Sequence, residues 1–141
     1  MDIGKLEWDE ILVGQSLPEL VKLPTYAHLF MFSATTWNRH LIHYNAEYAR
    51  QDGLPDVAVH RALIGNYLVQ LVKSWAGRSG KITSVEWNVR STAIPGDALV
   101  CKGIVVDKIE NDAYRSVECE IWVEKSDGQL VAPGRGTIEL I

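Results

Sequence analysis

Hydrophobic and polar positions follow one rule up to about residue 77 and another after it. From Val57 to Gly77 the chain reads VAVHRALIGNYLVQLVKSWAG, and its polar positions Asn66, Gln70, Lys73 and Ser74 fall on one narrow stripe. Nearly everything else there is apolar, which predicts a helix enclosed on most of its sides. No proline interrupts His60 to Trp75, and Gly77 is a natural C-terminal stop. Such a helix is about 24 Å long, enough to run the length of a small domain. After Gly80 the period drops to two. Ala113–Lys125 alternates most clearly, with Val117, Cys119, Ile121 and Val123 on one face and Glu118, Glu120, Trp122 and Glu124 on the other. Strands are also predicted over Lys81–Asp97, ending in Pro-Gly-Asp, over Ala98–Ile109, and from Gln129 to the end after a Ser-Asp-Gly hairpin turn.

Before the long helix the predicted elements are shorter. Gln15–Leu23 predicts a first strand that Pro18 confines to an edge. Thr25 is placed to cap a helix through Trp37, and Asn45 to cap a turn over Ala46–Gln51 that stops at Asp-Gly-Leu-Pro-Asp. One enclosed helix followed by four long antiparallel strands makes an α+β domain in which the sheet wraps the helix. No linker or repeat divides residues 1–141, so they read as a single domain.

Composition narrows the function classes. Apolar residues at 47% and charged residues at 23% describe an ordinary globule. The net charge of −4 comes with scattered basic residues, which argues against a nucleic-acid partner. The start carries Asp2, Glu7, Asp9 and Glu10 rather than the basic and apolar run of a signal peptide, and no stretch suits a membrane span. Cys101 and Cys119 lie in alternating strands, where buried thiols are expected rather than a bridge. A cytoplasmic location is the expectation.

The chemistry concentrates in Thr36–Asn45, TWNRHLIHYN. His43 is a candidate general acid/base, because an imidazole can take and return a proton near neutrality. Asn38 and His40 stand close enough in sequence to hold a water or fix its tautomer. His40 and His43, with His28, His60 or Glu47, also permit a metal reading, although no HExxH pattern is present. At the start of the long helix, His60, Arg61 and Ala62 offer unpaired backbone N–H groups that can bind a carbonyl oxygen as charge builds on it. The structural alternative is that His60 caps the helix and Arg61 points to solvent. Arg90 is either a strand-surface residue or a clamp for phosphate.

The stretch FSATTWNRHLIHYNAEYARQDGLPDVAVHRALIGNYL, with VRSTAIPGDALVCKGIVV about thirty residues later, resembles the MaoC-like dehydratases and (R)-specific enoyl-CoA hydratases. The resemblance implies a hotdog fold, an antiparallel sheet around a central helix, with two such units pairing into one extended sheet. It implies addition or removal of water at the trans-2 double bond of an acyl thioester carried by coenzyme A or acyl carrier protein. No metal or redox cofactor is implied. His43 falls on the family's catalytic histidine, and Asn38 where many members carry an aspartate. Asn38 cannot accept a proton, so it would orient water while His43 moves every proton. His60-Arg61-Ala62 falls on the family's His-Gly-x segment, with Arg61 in place of a glycine whose N–H serves the thioester oxygen.

Two other functions fit the same fold. A thioesterase would need an acid near the helix, and Asp56 is the one candidate between there and Glu86. A partly catalytic subunit, completed by a second hotdog chain, would account for Asn38 and Arg61. A homodimer is the first expectation and a hetero-oligomer the second.

Overall fold

A computed structural model describes residues 5–141; Asp2 lies outside the described residues. The elements run β1 (Leu20–Lys22), α1 (Tyr26–Thr36), α2 (Ala46–Gln51), α3 (Arg61–Ala76), β2 (Gly80–Trp87), β3 (Leu99–Glu110), β4 (Arg115–Lys125) and β5 (Leu130–Leu140). The capping side chains act where the sequence placed them. Thr25 Oγ1 accepts from His28 N–H at 3.1 Å, and Asn45 Oδ1 from Tyr48 N–H at 3.0 Å. Gly77 ends α3 at φ 56°, in the backbone region that favours glycine.

The strands form one antiparallel sheet in the order β1-β3-β4-β5-β2. It packs on α3, whose Ile64, Leu68, Leu71, Val72 and Ala76 share a core with Leu99, Val105, Val117, Ile121 and Ile138. Beyond Arg61 at its start, the exposed polar positions of α3 are Asn66, Gln70, Lys73 and Ser74, the predicted stripe. Ser33 and Leu29 are the buried residues of α1.

Two differences from the sequence pattern matter. The first strand is only three residues long, with a separate bridge from Ser16 to Ile104, because Pro18 interrupts the ladder. The strand expected over Lys81–Asp97 ends at Trp87. Residues 88–98 form a crossing segment: Asn88 and Arg90 N–H still donate to Pro133 O and Val131 O of β5 at 3.0 and 2.8 Å, and the chain then passes to the start of α3, where Val59 N–H donates to Ala93 O at 2.8 Å. That departure opens a cleft between this crossing segment and the residues before α3. Trp87 anchors the corner. Its Nε1–H donates to Arg61 O at 3.0 Å, and its ring covers Gly65 so closely that a Cβ there would lie 2.2 Å from it.

Candidate active site

α1 ends at Trp37, which takes a left-handed conformation at φ 57° and turns the chain. Asn38 N–H closes the helix end on Ser33 O at 2.9 Å, so the position of Asn38 follows from the end of α1. Asn38 Oδ1 accepts from His40 N–H at 3.2 Å. That bond leaves the side-chain NH2 group as the free donor. The oxygen, expected to hold water, is therefore partly engaged.

His40 caps a 3-10 turn, Leu41–His43, its Nδ1 accepting from Ile42 N–H at 3.3 Å. Its imidazole is exposed and does not line the cleft, so the structure does not bring it to the expected substrate-binding position. The capping bond and the reversal after α1 hold it outside. His43 closes the same turn and is 8% exposed. Its Nδ1 lies 2.7 Å from Ala58 O. A carbonyl only accepts, so Nδ1 carries the proton and Nε2 presents a lone pair. Among the described residues Nε2 has no hydrogen-bond partner. Burial lowers the His43 pKa from 6.5, against the pull of Ala58 O, and nearby His40 adds to the lowering. The ring is thus a neutral base with its free nitrogen fixed by the other.

His43 and Asn38 share a cleft of about 500 Å³. Arg61 and Ala62, at the first turn of α3, form part of its wall, as do Val89, Ser91 and Thr92 of the crossing segment. No side chain caps α3, so the first-turn N–H groups have no intrahelical acceptor and sit at the positive end of the dipole. Arg61 is exposed at this wall and makes no ion pair among the described residues. Arg90 is exposed too, but lies outside the cleft lining; its N–H donates to Val131 O at 2.8 Å.

His60 occupies the N-cap position, yet its ring neither caps the helix nor enters the cleft. It is 1% exposed and stacks on His43 with centroids 3.8 Å apart and planes 19° off parallel. Ser33 Oγ lies 2.7 Å from its Nε2. Asp56 is also committed elsewhere, to Tyr26 Oη and to Val57 N–H. Its carboxyl is held below the usual range, chiefly by the Tyr26 hydroxyl. Among the described residues no three His, Cys, Asp or Glu side chains converge as a metal set.

Ser33, Ala58, Trp87 and the crossing segment went unnoticed as site-building residues in the sequence. Ser33 did leave a signal: it is a polar residue four positions after Leu29, and so on the same face of the helix as that apolar residue.

The sequence profile of the hydroxyacyl-thioester dehydratase type 2 family matches residues 18–95, more than half of the chain. The chain belongs to that family. The matched segment contains Asn38, His43, the start of α3 and the crossing segment. A stretch of 51 residues is 41% identical to mesaconyl-C(4)-CoA hydratase of Chloroflexus aurantiacus. That stretch covers 36% of this chain but only 18% of the relative's length. Among solved structures, the (R)-hydratase from A. caviae involved in PHA biosynthesis superposes at TM-score 0.83 and 16% identity, covering 94% of this chain and 98% of that one. A chain of the ChsH1–ChsH2 complex from Mycobacterium tuberculosis superposes at TM-score 0.81 and 19% identity, covering 92% and 98%. At such identities the superpositions establish the hotdog fold, with α3 as its central helix.

Proposed function

We propose that this dehydratase-family chain interconverts a trans-2-enoyl thioester and its 3-hydroxyacyl form, with His43 as general acid and base. The observation that carries the reading is the bond from His43 Nδ1 to Ala58 O, which commits one nitrogen and leaves Nε2 as a lone pair on the cleft wall. In hydration, Nε2 takes a proton from water as the water oxygen bonds C3 and electrons move onto the thioester oxygen. The N–H groups of Arg61 and Ala62 stabilise that oxygen. The imidazolium then returns the proton to C2 on the same face. In dehydration Nε2 removes the C2 proton and delivers it to the departing hydroxyl. Asn38 donates from its NH2 group to the oxygen that is added or lost, and so positions it without moving a proton. No metal or redox cofactor takes part in these steps.

Coenzyme A or acyl carrier protein supplies the thioester, and Arg61 at the cleft mouth is the residue best placed for a carrier phosphate. The thioesterase reading loses its acid, because Asp56 is tied to Tyr26 and Val57 outside the cleft. We infer that two copies pair through β2, an eight-residue edge strand beside a three-residue one at the far edge. A partner hotdog chain is the second reading, favoured by the likeness to a chain from a hetero-complex. Mass measurement of the purified chain at twice 15.8 kDa supports self-pairing, and a lone 15.8 kDa species supports the partner.

The test of activity is loss of enoyl absorbance over a panel of trans-2-enoyl-CoA substrates of rising chain length. Hydration by the wild type and a fall of about 10²–10⁴-fold in His43→Ala, with the fold retained, is expected. Equal turnover by His43→Ala would refute the assignment.

A further inference from the structure

The ring behind His43 has no place in the proton transfers just described, and its surroundings are unusual. His60 is buried, and whichever tautomer it adopts, among the described residues only Nε2 has a partner; Nδ1 is sealed from solvent without one. A protonated His60 would bury an N–H with no acceptor directly against a second imidazole. Burial, then the closeness of His43 and of His28 from α1, push its pKa down to about 4. The ring is therefore neutral throughout the range in which His43 works. Phe32 meets it on edge at a centroid distance of 4.7 Å, and Ser33 pins its Nε2. Both come from consecutive positions of α1, the helix whose end also places Asn38.

Resting on the hydratase reading, we propose that Ser33 and His60 form a positioning pair for His43: Ser33 fixes the plane of His60, and His60 fixes the plane of His43 by stacking. Ala58 alone leaves His43 free to swing about one bond. A second support across the ring face removes that freedom and keeps Nε2 aimed at the reacting carbons. The neutral aromatic face also favours the imidazolium that forms transiently on His43, whereas a charged neighbour would oppose it. His60 and Ser33 touch no reacting atom.

Ser33→Ala tests this, since it removes one hydroxyl and is nearly isosteric. Expected are a fall in kcat of about tenfold with KM within about twofold, and no further loss when it is added to His60→Phe. Unchanged kcat, or losses that simply add, would overturn the pairing. A second readout needs no substrate: the His43 Nδ1–H resonance in the ¹⁵N-labelled protein. It is expected to be sharp in the wild type and broadened by exchange in Ser33→Ala while the remaining spectrum is preserved. A resonance unchanged by Ser33→Ala overturns the pairing even if the wild type hydrates nothing, an outcome that would instead refute the hydratase reading.

Discussion

Cys101 and Cys119 in the sheet and His43 and His60 beside the cleft are all buried, yet burial leaves them chemically opposite. The two thiols are pushed up to about 11 and about 12 by desolvation, so they stay protonated and are poor nucleophiles. The two imidazoles are pushed down by the same cause, so they stay unprotonated and keep their lone pairs. Exclusion of water silences an acid of this kind and arms a base. What separates the regions is the fate of the second polar atom. In β3 and β4 the cysteines face Val123 and Val105 across the ladder, and among the described residues no hydrogen bond orients either thiol. At the cleft each histidine has one nitrogen tied, to Ala58 O or to Ser33 Oγ, and the other left over.

The largest effect that would sharpen this contrast is on acid stability. His60 is neutral in the fold at a pH where it is charged in the unfolded chain. A depressed folded pKa leaves stability intact above about pH 6.5 and removes it as pH falls toward 4. The loss from this one group is on the order of 3 kcal/mol. Urea unfolding across that range should show it, and His60→Phe should flatten the dependence. A smaller effect belongs to Asn38→Ala, expected to lower kcat about tenfold because the positioned oxygen loses one hydrogen bond while His43 is untouched. Loss equal to that of His43→Ala would mean that Asn38 does more than position. Smallest is Cys101→Ala, which should leave kcat within about twofold and cost about 1 kcal/mol of stability by thermal unfolding. A large loss of activity there would break the contrast between silent thiols and the imidazoles to which we assign the chemistry.

The elements were legible wherever local chemistry decides them. Thr25 and Asn45 cap their helices through bonds within three residues, and the alternation in β4 is read from one segment. The resemblance singled out His43 and Asn38, which the structure brings to one cleft, and the start of α3 was read from its apolar pattern. What stayed hidden depends on pairs far apart in sequence. Ser33 meets His60 across 27 residues, and Trp87 reaches the carbonyl of Arg61 across 26. The break after Trp87 was obscured because Val89 and Ala93 continue an apolar rhythm and Asn88 and Arg90 still bond to β5, while Ala93 has already crossed to the residues before α3. His40 misled for the opposite reason: its spacing from His43 suggested a shared site, and a capping bond turned it outward.

The most direct test of the central claim is the pH dependence of kcat/KM for hydration of an accepted trans-2-enoyl-CoA. A buried, neutral His43 acting as the base gives activity that falls on acidification, with a midpoint below 6.5. A flat profile, or a midpoint above that value, would contradict it.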